Sequence, residues 1–478
     1  MNRSFTLLVV LSLLLLSCGA AGPTQAYQTD DTAAPSEVVK LIFIHHSTGE
    51  NWLTDGYGNL GKTLGQNNYF VSDTNYGWGP NAIGDRTDIP DWPEWFASAE
   101  TPTYMQALYT ENGKHSTYTR TLPNPGGENR IIMFKSCFPN SDLSGKPDDP
   151  PTSEVGYTVG HAKYVYNTIL QYFGQHTDKL FVVVTAPPLS DSTHAANARA
   201  FNNWLVYNWL WENNYQHGNV VVFDFYNVLT HSTYHHRFYD GEVQHIFGNH
   251  NTNYYPSSPG DDHPSVTGSR KATTEFVSLL NVYYQRWKDG ARNVAFVANK
   301  YQDGWVLESG ENSNQGGSLN NTASILYLGD NATNRQYRAI LSFNTASLPD
   351  NAVIVSASLK VRQKSVLGTD PFKTHGNLVV DIRRGAFSNN PALQLGDFKA
   401  ASSRVNVASV NKTAVNKWHN AGLLSAGFGH VNRTGITQFR LRFAKDDNND
   451  NGADYRAFYS ANSANKPALW ITYYPAQP

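Results

Sequence analysis

The chain has 478 residues, too many for one ordinary core, and so predicts two domains. Its 37 basic and 39 acidic residues leave a formal charge of −2, which removes any electrostatic case for nucleic acid or an anionic membrane surface as partner. Aromatic residues reach 13% and charged residues only 16%, a balance found in β-rich proteins and in extracellular proteins that contact carbohydrate through ring faces.

In chain order, residues 1–22 read as a bacterial signal peptide. Arg3 supplies the positive end, and residues 5–16 form an apolar run too short to span a bilayer comfortably. Leu15-Leu16-Ser17-Cys18-Gly19 resembles a lipobox, which would lipidate Cys18 and leave the chain at the cell surface. Cleavage near Ala20 or Ala21 is the other outcome and would release it. Membrane contact is expected only through that lipid. Residues 23–37, rich in Ala, Thr, Asp and Pro without periodicity, predict a flexible tether. Cys18 and Cys137 are the only cysteines, which excludes a disulfide framework and a cysteine metal site.

Residues 38–288 predict an α/β domain. Apolar runs at 38–44, 130–134, 180–184 and 220–224 do not alternate with polar residues, as expected for strands buried on both faces of a parallel sheet. Helical spacing appears between them at 159–175 and 195–213, and again at 267–287. Beyond about Lys288 the pattern changes. Residues 293–478 carry short, often alternating strands at 294–297, 324–328, 338–343, 353–361, 378–382, 439–443 and 468–474, separated by Gly, Asn, Asp and Pro. That pattern predicts an all-β antiparallel sandwich.

The chemistry lies where the first domain's strands end. His45-His46-Ser47-Thr48-Gly49 follows the first strand, Ser136-Cys137-Phe138-Pro139-Asn140 follows the second, and Asp261-Asp262-His263-Pro264-Ser265 precedes the last helix. Open parallel sheets bind ligands at the carboxyl ends of their strands. A serine hydroxyl needs a base to take its proton and a carboxylate to orient that base. Each part also has a structural reading: Ser47 as a helix cap, His263 to Ser265 as a turn and cap, and Asn140 as a loop bracket.

Order and spacing across about residues 38–287 resemble the SGNH or GDSL-type hydrolases. The resemblance implies a three-layer domain with Ser47 as nucleophile, His263 as base, and Asn140 with a glycine, Gly77 or Gly79, as oxyanion donors. Two departures stand out: His45-His46 replaces the family's Gly-Asp, and Gly260 occupies the usual carboxylate position. Asp261 is therefore chosen over Asp262, because the side chain adjacent to a histidine folds back poorly on its ring. Gly79 is taken as the glycine donor, and His46, Trp78 and His245 as substrate contacts.

Histidines at 231, 235, 236, 245 and 250 cluster among Tyr and Asn, but no zinc-ligand spacing organises them, so no metal is assigned. The stretch Tyr337-Arg338-Ala339-Ile340-Leu341-Ser342-Phe343, with 348–359 and 467–474, resembles DNRLRE-type carbohydrate-binding modules and implies a polysaccharide partner. Asp447, Asp450 and Gly452 partly fit a calcium loop, with Phe458 where its final acid belongs, so a solvated turn is favoured over structural calcium. The expectation is a secreted or surface-anchored carbohydrate esterase that removes acyl groups by serine catalysis and requires no cofactor. Cleavage of the glycan chain by the His-, Tyr- and Asp-rich loops is the enzyme alternative. Non-catalytic glycan binding is the third.

Overall fold

The computed structural model of the chain describes residues 30–410 and 417–475. The signal-peptide and Cys18 readings lie outside the described residues. In the first half, strands β1 (Val39–Ile44), β2 (Tyr69–Asp73), β3 (Ile131–Lys135), β4 (Leu180–Val184) and β5 (Val220–Phe223) form one parallel sheet in the order β2-β1-β3-β4-β5. β2 is a strand that the sequence reading did not contain.

Alternate residues of β1 serve opposite faces, as the two-residue period requires. Val39, Leu41 and Phe43 join the core beneath α1 (Thr48–Leu53), α2 (Leu60–Gln66), α8 (Phe225–Leu229) and α9 (Val266–Lys288). Ile42 and Ile44 join the other core, beneath α3 (Trp92–Ala97), α4 (Thr101–Thr110), α5 (Val159–Gln175), α6 (Ala195–Tyr207) and α7 (Trp209–Glu212). The domain is thus helix layer, sheet, helix layer, as expected.

Trp52 ties the short helix α1 to this frame. Its fully buried ring stacks on Phe225 at 4.7 Å and meets Phe276 at 5.4 Å. Its indole N–H donates to Thr273 Oγ1 at 2.9 Å. A buried ring of this size contributes about 2–3 kcal/mol and fixes where α1 begins.

The hairpin β6 (His236–Tyr239) and β7 (Glu242–His245) packs beside α9. After α9, strands β8 (Arg292–Val297), β9 (Gly304–Glu308), β10 (Gly316–Asn320), β11 (Ile325–Asp330), β12 (Gln336–Asn344) and β13 (Val353–Leu367) begin the second half. β14 (Leu378–Arg384), β15 (Arg404–Val410), β16 (Trp418–Gly422), β17 (Ile436–Phe443), β18 (Tyr455–Tyr459) and β19 (Ala468–Tyr474) complete it. Pairing is antiparallel throughout, in a sheet ordered β15-β14-β17-β12-β11-β18-β13-β19-β8 with β9, β10 and β16 beside that path.

β13 is what lets one sheet curl. Its first part pairs with β19 and β16, its last part with β18, and the ladder shifts register between Gln363 and Ser365. Such bulges bend a strand. The two layers then face each other across one core that includes Leu359, Leu469, Leu341 and Phe439. An all-β antiparallel domain therefore follows the α/β domain.

One expectation needs correction. Residues 30–37 do not form a free tether: Asp30 pairs with Arg286 and is nearly buried, Asn281 donates to Thr32 O, and Asn68 donates to Pro35 O. The composition carried no apolar signal because side-chain polar groups hold this segment. The halves touch through Lys360 Nζ, which donates to Tyr207 O, and through Trp211 against Trp418.

Candidate functional site

β1 ends at Ile44, and the next three residues go to three different environments. His45 is fully buried, with Nε2 3.3 Å from Asp73 Oδ2 at the end of β2. Asp73 also accepts from His115 N–H, the Ser116 hydroxyl and the Tyr118 hydroxyl. Burial holds the His45 ring below its ordinary pKa, against the pull of Asp73. It is a strut between two strands. His46 is half-buried, with Nδ1 3.0 Å from Thr87 Oγ1 and its ring stacked on Tyr76 at 5.0 Å.

Ser47 turns the chain from strand into α1 with φ 47° and ψ −103°. An L-residue in such a region stores about 1–3 kcal/mol of strain, supplied by the packing around it. Gly49 permits the tight turn, since a Cβ there would lie 2.5 Å from the His45 side chain. Although Ser47 is the first residue of the helix cap, its side chain makes no cap bond. Its hydroxyl instead lies 2.9 Å from His263 Nε2.

The histidine arrives on the loop before α9. Ser265 caps that helix, accepting Gly268 N–H, so the turn has a structural task as well. Tyr57 donates to Pro264 O at 2.7 Å, and Ser190 N–H donates to Asp262 Oδ1 at 2.5 Å, which fix the loop from both sides. His263 Nδ1 is 2.9 Å from Asp261 Oδ1, and the same oxygen accepts His263 N–H at 2.8 Å. The Ser257 hydroxyl, the His263 backbone N–H and then the imidazole hold the Asp261 carboxyl at about 2. An ionised carboxylate can only accept, so Nδ1 carries the ring proton and Nε2 is left to accept from Ser47. Phe138 meets the imidazole edge-on at 4.9 Å.

Beneath the serine turn lies a group for which the sequence reading had assigned no role. Lys135, at the end of β3, is fully buried and donates to Thr48 Oγ1 and to Ser136 O. Burial lowers its pKa to about 8. Burial pushes the Cys137 thiol up, but the Lys135 ammonium, with contacts from His46 and Thr48, brings it down to about 6. The signal available was the lysine itself, closing an otherwise apolar strand.

Ser47, His263 and Asp261 are brought together, and His46 stands beside them, stacked on Tyr76; for Asn140, Gly79, Trp78 and His245 no described contact reaches Ser47 or His263. Asn140 is buried, accepts Ile89 N–H at 2.7 Å, and donates to Asp88 Oδ1 at 2.6 Å and Cys137 O at 3.3 Å. Its acceptor fixes the amide orientation, and both hydrogens are engaged, so it brackets a loop here and presents no free donor. Gly79 takes φ 83° as a turn residue, with its carbonyl accepting Ala82 N–H, and no described contact links it to Ser47. Trp78 is half-buried against the core and donates to Glu111 Oε2 at 2.8 Å. His245 is 4% exposed, with Nε2 2.7 Å from the fully buried Asp224, and offers no open ring edge to a substrate. Tyr76, which the reading passed over, is 60% exposed and reaches Ser47 with its hydroxyl.

Among the described residues no group of three or more His, Cys, Asp or Glu side chains is arranged to hold a metal ion. In the Asp-rich loop Asp447 accepts Asn449 N–H, Asp450 accepts Gly452 N–H, and Phe458 is a buried core residue of β18.

No family model matches the chain, and no curated protein matches it. Among solved structures, one chain is 12% identical over 51% of this chain and 96% of its own, with a TM-score of 0.25. TubZ of Clostridium botulinum phage c-st is 11% identical over 54% and 69%, with a TM-score of 0.24. CapF bound to 3-isopropenyl-tropolone is 8% identical over 92% and 96%, with a TM-score of 0.16. Likeness at these scores carries no argument about family or function.

Proposed function

We propose that this chain is a carbohydrate esterase of SGNH-like layout, which removes acyl groups, acetyl in the first instance, from a polysaccharide. The observation that carries the reading is the line Ser47 Oγ, His263 Nε2, His263 Nδ1, Asp261 Oδ1, with 2.9 Å at each hydrogen bond and the serine held in strained backbone. A capping serine would point at its own helix; this one points at a base.

In the proposed reaction Ser47 Oγ attacks the acyl carbon as its proton passes to His263 Nε2. The carbonyl π electrons move onto oxygen, where the Ser47 N–H at the start of α1 would stabilise them. Collapse expels the sugar oxygen, which takes the proton from His263. Water repeats the two steps and releases the acid and free serine. The second half, DNRLRE-like in its strand sequences, would hold the polymer. The leader and the carbohydrate reading fit a secreted or surface-anchored bacterial protein. The chain-cleaving alternative rested largely on the His-rich loops, and the structure engages His245 with Asp224 and His236 with Asp224 N–H.

The test is the purified full chain on acetylated and deacetylated polysaccharides, with released acetate and new chain ends scored separately. Acetate without new ends is the expected result. New ends without acetate would overturn the reading.

Lys135 supplies a second expectation, as a positioning residue that acts through Thr48 and lends positive charge beneath the oxyanion. Lys135→Met should lower kcat on a small acetyl ester about 10-fold or more with KM nearly unchanged, since a developing anion gains from a nearby buried cation. Unchanged kcat in a folded variant would reduce the lysine to a packing element.

A further inference from the structure

Four aromatic rings gather on the second half, from four different strands. Trp305 (β9), Tyr327 (β11), Tyr337 (β12) and Tyr455 (β18) form a closed set, with centroid separations from 4.8 Å for Tyr327–Tyr455 to 5.8 Å for Trp305–Tyr327 and Tyr337–Tyr455. Gly329 makes the convergence possible. It pairs with both Tyr337 and Tyr455, takes φ 128°, and has no space for a side chain, since a Cβ would lie 2.1 Å from Asp454 O.

These rings belong to none of the hydrophobic clusters of the second half, and each remains partly exposed. Their polar tips are also unusual. Among the described residues none of the three phenol hydroxyls makes a hydrogen bond within the protein, and the Trp305 indole N–H, covered by its neighbours, has no acceptor. A satellite core would pair such groups, because a buried donor without an acceptor is costly.

We propose that this cluster is the glycan-contact surface of the second half, and that it takes an uncharged polysaccharide whose pyranose C–H faces lie on the rings while its hydroxyls pair with the phenols. The occupant follows from the chemistry of the set. It offers apolar ring faces and neutral phenol tips together, and the one charge that bears on Tyr337, the Arg335 guanidinium, donates to Thr333 Oγ1 beside the set, which suits a neutral sugar better than a uronate or an apolar peptide. Burial also raises the phenol pKa of Tyr337 and Tyr455, which keeps both hydroxyls protonated as donors. The inference rests on the reading of this half as a polysaccharide-binding module and names the residues that bind.

The experiment is native affinity electrophoresis of the full chain through gels holding acetylated glucomannan, alginate or no polymer. Wild type is expected to be retarded by glucomannan. Tyr337→Ala with Tyr455→Ala should weaken that retention about tenfold, the worth of one to two ring contacts. Tyr337→Phe with Tyr455→Phe keeps the rings and should lose a smaller factor, which covers the case in which the alanine pair does not fold. Turnover of a small acetyl ester should stay at the wild-type level in both. Undiminished retention of the folded alanine pair would overturn the assignment while leaving glycan binding in place elsewhere on the chain. Retention by alginate alone would overturn it in favour of a charged site. No retention of wild type by either polymer would overturn the binding-module reading itself.

Discussion

Ser47→Ala is expected to lower kcat on an acetyl ester by about 10⁴-fold or more while the melting temperature stays close to wild type. The hydroxyl makes no cap bond and its one described hydrogen-bond distance is to His263, so its removal costs the fold little. In the proposed mechanism the nucleophile and its base act as one unit, so His263→Ala should fall about as far, and the double variant no further. Ser47→Gly separates chemistry from strain. Glycine adopts φ 47° and ψ −103° freely, so that variant should be equally inactive yet gain about 1 kcal/mol in stability, after its own entropic cost. Thermal melts and ester kinetics on these four variants and wild type check both halves of this argument. Full activity in Ser47→Ala would move the reading to cleavage of the glycan chain. Loss of stability in Ser47→Gly would mean that the turn is not strained.

Much of the fold was legible because buried parallel strands leave continuous apolar runs, and β1, β3, β4 and β5 each did so. β2 did not, because only Tyr69, Phe70 and Val71 are apolar and Asp73 closes it. Its polar end has a partner no local pattern reveals, the buried His45 on the neighbouring strand. The site divides in the same way. Ser47 and His263 stood out because their chemistry is rare at the ends of strands, and Asp261 because adjacency to the ring disfavours Asp262. Asn140 was legible as a polar residue at the sheet's edge, but its engagement with Asp88 and Ile89 depends on residues about fifty positions away. Lys135 was hidden by its type, since a lysine ending a strand usually reaches solvent, and here it turns inward to Thr48. His245 was misread for the opposite reason: a hairpin between His236 and His245 folds it onto Asp224, away from open solvent.

Asp261→Asn tests the carboxylate of the proposed site, where the sequence departs from the pattern it resembles. In wild type one carboxylate oxygen accepts His263 Nδ1–H and the other accepts the Ser257 hydroxyl. An amide can satisfy only one of these without turning its N–H₂ toward the other partner. The oxygen facing the ring also accepts the His263 backbone N–H, so the amide keeps its oxygen there and turns its N–H₂ to the Ser257 hydroxyl; the tautomer is retained, but the negative charge that would stabilise the imidazolium formed in the transition state is lost. We therefore expect kcat to fall roughly 10²–10⁴-fold with KM little changed, less than for Ser47→Ala because Asp261 is about one-third exposed and water can partly replace it. Asp262→Asn should be mild, since an amide oxygen accepts Ser190 N–H as the carboxylate does. The sign of the pH dependence follows from the depressed pKa. A carboxyl held at about 2 is ionised at every pH above that range and loses its role only as pH falls through it, so the Asp261→Asn deficit should persist undiminished across neutral and mildly acidic pH. Steady-state kinetics of both variants across that range decide the matter. A larger loss in Asp262→Asn would show that the loop is wound differently, and small, equal losses would leave Ser47 and His263 working as a dyad.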